Sequence, residues 1–311
     1  MNSKILISVD AIIHSPRKLT KAFKSIFSFA KQASCSTEIA SVMSPESIAW
    51  PTHFEETWSD EFIKLAQKVA NRNIGRIADQ CTEHPRLILQ RLHSRRQTVR
   101  AVVECAQKYD SNFIFAITHL ANKPKSFIFP GSFVETLISF SSIPVVTINA
   151  EADSIKKYSS ILFPTDLSDQ CNKSFEKIVE LAKVLSARVV LLHVMTIPQD
   201  TILITSAGIA GGWPHVETYL QSLEEQTKES ASRLLEIAKV AAVDAVFIKL
   251  RNNAALSQVI LAQARKLNVQ LIAMTNQSGP LASVFLGSVT RQVMKGSKIP
   301  VLIYPILSNK V

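Results

Sequence analysis

One layout is written twice in this chain, 156 residues apart. Ile5–Asp10 (ILISVD) answers to Ile161–Asp166 (ILFPTD), Gly131-Ser132 to Gly287-Ser288, and Ile143–Val146 (IPVV) to Ile299–Leu302 (IPVL), with the same offset at all three anchors. Anchors in register across each half identify an internal repeat, the feature to settle before any other. The middles diverge in local register, so insertions and deletions there compensate one another. The chain's 311 residues suffice for about two domains with proper cores.

Each copy alternates apolar strand-like runs with stretches of helical spacing. In the second, YSSILFPTD reads as a strand ending in a turn, and Phe175, Ile178, Val179, Ala182 and Leu185 recur at helical intervals. RVVLLHV is a continuous apolar run, as in a strand buried on both faces. A Gly/Pro-bearing loop, a helix over 216–242, the strand AVFIKL, a helix over 255–267, the strand QLIAM, a helix over 288–295 and the strand PVLIYP follow. The first copy gives the same order: KILISV, a helix over 18–33, TEIASVM, a helix over 60–81, LILQRL, a helix over 98–109, FIFAIT, a helix after Gly131, and PVVTI. Alternation of this kind implies a parallel sheet with right-handed crossovers. The expected fold is α/β, two doubly wound five-stranded parallel-sheet domains at 1–150 and 157–311, joined by the polar stretch 150–157.

Composition narrows the class. Apolar residues make up 47% and charged residues 19%, which suits a folded chain. The longest apolar runs are too short to span a membrane, and MNSKILISVD has no long apolar core or cleavage site, so the expectation is a cytoplasmic protein with no membrane partner. The cysteines Cys35, Cys81, Cys105 and Cys171 form no CxxC pair, and no metal site is signalled. The net charge of +10 divides into roughly +6 before residue 150 and +4 after it. Charge so diffuse is a poor argument for nucleic acid as a partner; the densest basic stretch, Arg91–Arg100, reads as a solvated loop and helix start.

ILFPTDLSD, VVLLHV, LGSV and KIPVLIY resemble the universal stress protein family, most closely in the second copy, and the two copies together resemble a tandem member. The resemblance implies an adenine nucleotide alpha hydrolase-like fold. It also implies that the two domains pack as a pseudo-dimer through their final strands, here PVVTI and PVLIYP, leaving a further homodimer open. Some members bind ATP through a loop G-x2-G-x9-G-[S/T] between the fourth strand and the last helix. Glycines there let backbone N–H groups reach the phosphates, and the final Gly-Ser opens a helix whose free N–H groups favour an anion. Gly287, Ser288 and Val289 keep the end of that motif. Counting back without gaps, its earlier glycines fall on Met274 and Gln277; shifting by one, they fall on Thr275 and Ser278. In the first copy Gly131-Ser132 stays, while Thr118 and Ala121 stand where glycines would. At the end of the first strand, Pro164-x-Asp166 resembles the adenosine-side turn of ATP binders, and the first copy has Asp10 without the proline.

Each of these residues also has a plainer role. Ser132 and Ser288 suit helix caps, and Asp10 and Asp166 suit turns at strand ends. His193 reads as a buried or half-buried strand histidine, and His119 as a loop residue. Trp50-Pro51 and Trp213-Pro214 read as lids in the loop after each second strand. No nucleophile–base set is legible, so a binding or regulatory protein of the stress-response type is expected rather than an enzyme. ATP or a related nucleotide is the ligand the resemblance implies, in the second copy first. An ATP-binding switch with weak hydrolysis and a basic nucleic-acid-associated protein are the alternatives.

Overall fold

The computed structural model describes residues 3–9, 16–42, 86–88, 95–118, 133–149, 152–195, 213–275 and 286–305, with scattered helical residues between 64 and 75. Compactness divides the chain into Met1–Tyr158 with Thr275–Val311, and Ser159–Met274.

The first unit carries β1 (Ser3–Val9), α1 (Pro16–Gln32), β2 (Cys35–Val42), β3 (Arg86–Ile88), α2 (Arg95–Lys108), β4 (Phe113–Thr118), α3 (Phe133–Phe140) and β5 (Val145–Asn149). Its strands lie in the order β3-β2-β1-β4-β5, all parallel. Chain order reverses between β1 and β4, which makes the sheet doubly wound. Ile5, Leu6 and Ile7 of β1, and Ile114, Phe115 and Ala116 of β4, are buried, as central strands covered on both faces require. Phe29 of α1 meets Phe113, Phe115 and Tyr158 edge-on at 5.2–5.6 Å between ring centres.

The second unit carries β6 (Ser160–Pro164), α4 (Asp169–Leu185), β7 (Arg188–Met195), α5 (Trp213–Val240), β8 (Ala245–Arg251), α6 (Leu256–Lys266) and β9 (Leu271–Thr275), whose last residue falls at the boundary. Its parallel order is β9-β6-β7-β8. Val189–Leu192 are buried, as the uninterrupted apolar run foretold. Trp213 and Pro214 correct the sequence reading: they open α5 instead of lying in a loop. Proline has no N–H to lose in a first helical turn and its fixed φ suits one. In the basic stretch, the helix starts at Arg95, and Arg96 and Arg100 are exposed.

The last helix and strand, α7 (Ser288–Gly296) and β10 (Val301–Tyr304), are compact with the first repeat. The reason is the expected pairing of final strands: β10 runs antiparallel to β5, with Val301 opposite Thr147, Leu302 opposite Val146 and Ile303 opposite Val145. Val146 and Leu302 are 156 apart, so the pairing is centred on equivalent residues of the two repeats. The turn before each of these strands is also repeated. The Ser141 hydroxyl donates to the Ile143 carbonyl at 2.6 Å and accepts from its N–H at 3.0 Å; Ser297 does the same with Ile299 at 2.7 and 3.2 Å.

The polar join is a fastened strap. Ser25 Oγ accepts the Ile155 N–H at 2.8 Å, Ser28 donates to the Lys156 carbonyl, and Gln32 exchanges two hydrogen bonds with the Tyr158 backbone at 2.8 and 2.9 Å. Tyr158 is fully buried and its hydroxyl donates to the Ser25 carbonyl at 3.1 Å; burial pushes the phenol's pKa up, so it stays a donor. Tyr158→Ala should therefore cost about 3–5 kcal/mol, in the range of a large core truncation, and Tyr158→Phe about 1 kcal/mol, that of one hydrogen bond. Urea unfolding of the two variants checks the ratio.

Candidate functional site

In open parallel sheets ligands sit beyond the carboxyl ends of the strands, where the strand order reverses. In the second unit that place lies between β6 and β9. Leu162 is opposite Ile272 in parallel register, so the chain leaves both strands at one edge, at Pro164 and Met274. Pro164 ends β6 and Asp166 lies two residues beyond it.

The turn after β6 is over-determined. Leu167 has φ 63°, a left-handed conformation that a leucine adopts only when neighbours enforce it. Thr165 Oγ1 accepts the Leu167 N–H at 2.9 Å, and Asp166 Oδ1 accepts the Ser168 N–H at 3.0 Å. Ser168 is the N-cap of α4, its hydroxyl accepting the Cys171 N–H at 3.4 Å. From the neighbouring strand, His193 Nδ1 lies 2.9 Å from the Thr165 carbonyl. A carbonyl can only accept, so Nδ1 carries a proton and donates it to this hydrogen bond. The half-buried strand histidine of the sequence reading thus has a task that reading missed: it pins the turn that carries Asp166. Its neighbour in the sheet, β6, supplies the partner, and a contact between strands 28 residues apart leaves no local signal.

Asp166 itself is exposed. Partial burial acts to raise its carboxyl's pKa, but hydrogen bonds from Cys171 and Ser168 outweigh that and hold it below the ordinary 3.8. Cys171 is buried, and burial together with the Asp166 charge pushes its thiol up, away from reactivity. Burial alone lifts Cys35 to about 11.

At α7 the expected serine cap is replaced by an open end. Ser288 is the first helical residue and Gly287 the N-cap, with φ −56° and no side-chain hydrogen bond to the helix N–H groups. The Gly287 carbonyl does accept the Arg291 N–H at 3.0 Å. Thr275 is buried at the end of β9. In the first repeat Thr118 ends β4, its hydroxyl donating to the Ile148 carbonyl at 3.4 Å. Asp10, Ala121, Gly131, Ser132 and Ser278, like His119 and Trp50-Pro51, lie outside the described residues.

Sheet register also sharpens the equivalence of the two loops. Ile114 stands opposite Leu6 as Ile272 stands opposite Leu162, an offset of 158 on the fourth strand. That offset differs by two from the offset of the Gly-Ser anchors, so the second copy is two residues shorter between them. Gly279, beside Pro280 and with only seven residues between it and Gly287, does not supply the G-x2-G-x9-G pattern. Among the described residues no cluster of His, Cys, Asp and Glu could hold a metal ion, and no helix is long and apolar enough to cross a membrane.

Fold and edge together define a doubly wound α/β domain with a ligand-type edge, formed on a turn and without a catalytic set among the described residues. Residues 157–305 match the Universal stress protein family. The chain is 29% identical over 153 residues to Universal stress protein MJ0577 of Methanocaldococcus jannaschii, covering 47% of this chain and 94% of that protein. Two solved structures share the fold over nearly the whole chain. One is a universal stress protein from Archaeoglobus fulgidus, with 14% identity, TM-score 0.59, and 97% and 96% of the two chains covered. The other is the functionally unknown protein PA1789 from Pseudomonas aeruginosa, with 11% identity, TM-score 0.57, and 98% and 92% covered.

The lowered pKa of Asp166 fixes the sign of its effect. Its contribution to stability is complete above the ordinary value of 3.8 and is lost as the pH falls through the lowered one. Asp166→Asn should therefore be less stable than the parent at neutral pH, with the difference shrinking as the pH falls below the ordinary 3.8. Thermal unfolding of both proteins across that range reads it directly.

Proposed function

We propose that the chain is a tandem universal stress protein, with domains at 1–150 and 157–311, acting as a stress-response binding or regulatory protein. The second repeat takes a small ligand, and an adenine nucleotide is the first candidate. The observation that carries this reading is the Pro164–Ser168 turn. A strained leucine, a capped helix and the His193 hydrogen bond all hold Asp166 at the edge where such sheets bind ligands. The start of α7 at Gly287-Ser288 is in keeping with it, because a helix N-terminus suits a phosphate. The proposed ligand residues are Pro164, Asp166, Thr275, Ser278, Gly287, Ser288 and Val289. Asp10, Thr118, Ala121, Gly131 and Ser132 form the weaker set in the first repeat.

The two missing early glycines of the loop set the expected strength. Side chains in place of glycine hold the backbone away from a phosphate, so affinity should fall short of that of a complete loop. Calorimetry with ATP, ADP and AMP on the full chain should give binding in the micromolar-to-millimolar range. Asp166→Ala and Ser288→Ala should each weaken it about tenfold, the scale of one charge-assisted or phosphate-directed hydrogen bond. No heat with any of the three at millimolar concentration removes the nucleotide; unchanged binding in both variants removes the site.

A further inference from the structure

The β5–β10 pairing poses a question of selectivity. The two strands meet centred on equivalent residues, Val146 opposite Leu302. A register of that kind is self-complementary: β5 could pair with the β5 of another chain, or β10 with another β10, through the same backbone pattern. The apolar flank does not discriminate either. Val134, Leu137 and Ile138 of α3 are buried, and their equivalents Thr290, Val293 and Met294 of α7 are buried too. Selection of the unlike partner has to come from side chains that differ between the copies.

Such a difference stands on the helices. Glu135 of α3 has a side chain only 5% exposed. Arg291 Nε lies 3.3 Å from its Oε2, with the arginine side chain 31% exposed, and Lys295 Nζ lies 3.4 Å from its Oε1 at 59% exposure. Residues 135 and 291 are separated by the repeat offset of 156, so the same position carries a carboxylate in one copy and a guanidinium in the other. Lys295 is the equivalent of Ser139, which adds a second cation to one side only. Because equivalent positions meet, self-pairing of the first repeat would bury Glu135 against a second Glu135. Self-pairing of the second would set Arg291 against Arg291 with two lysines beside them. Buried like charges are strongly disfavoured, whereas the unlike pairing neutralises the carboxylate with two cations.

We propose that Glu135, Arg291 and Lys295 are a pairing code: they make the first repeat's α3–β5 surface accept the α7–β10 surface of the second repeat and reject a copy of itself. The partner of this surface is thereby fixed as the opposite repeat. Reversing one side should abolish internal pairing, and reversing both should restore it.

The test uses full-length chains. Glu135→Arg gives a chain with cations on both surfaces; Arg291→Glu with Lys295→Glu gives one with anions on both; the triple swap carries all three changes. The two partly reversed chains should unfold at lower urea than the parent, and the triple swap should regain more than half of the loss. A second measurement needs no stable variant on its own. The two partly reversed chains are refolded together from urea and their mass is read by light scattering. Each supplies the surface that the other requires, so a one-to-one complex of the two chains should form, absent when either is refolded alone. Additive losses in the triple swap overturn the proposal. So do reversed chains as stable as the parent, or co-refolding without a one-to-one complex.

Discussion

The antiparallel contact of β5 with β10 is the constraint from which much else follows. Five parallel strands in the first repeat would otherwise end on β5, an apolar edge with unpaired backbone groups. Val145, Val146 and Ile148 of β5 are buried, as are Val301, Leu302 and Ile303 of β10. Thr147 of β5 reaches across to the Val301 carbonyl at 3.3 Å. The pairing explains why the last helix and strand of the second repeat are compact with the first, although the sequence repeat breaks near residue 150. It also explains the strap: with Ile155 to Tyr158 fastened to α1, the chain leaves the first repeat by a fixed route.

The site follows the same economy, using short-range hydrogen bonds to hold an otherwise unfavourable turn. Leu167 in a left-handed conformation is tolerable because Thr165, Asp166 and Ser168 each satisfy a neighbouring N–H. Asp166 therefore has a structural duty whether or not a ligand is bound, and its exposure leaves carboxylate oxygen free to meet one. Because Asp166 builds the turn, variants at this position must be read for stability and affinity together.

Much of the fold was legible in the sequence because burial writes itself into apolar runs. FIFAIT is β4 residue for residue, and RVVLLHV falls short of β7 only by its last residue. The family resemblance implied that the final strands would pair, and β5 and β10 do pair, antiparallel. Helix starts were harder to read. Trp213-Pro214 resembled a loop because proline is punctuation until a helix follows it, and Ser288 resembled a cap although Gly287 holds that position. The turn after β6 was legible at Pro164 and Asp166, whose spacing is local. The His193 contact was hidden, because it depends on which strands lie side by side. The charge reversal at Glu135 and Arg291 was present in the repeat all along; it acquires meaning only once equivalent positions are known to meet.

Hydrogen exchange of the full-length chain, followed peptide by peptide under native conditions, tests the central pairing most directly. If β5 and β10 are the shared seam, the amides of Val145–Asn149 and Val301–Tyr304 exchange together, as slowly as those of β1 and β4, and only through global unfolding. Rapid exchange of β10, or of β5 while β4 stays protected, would show a frayed edge and contradict the account.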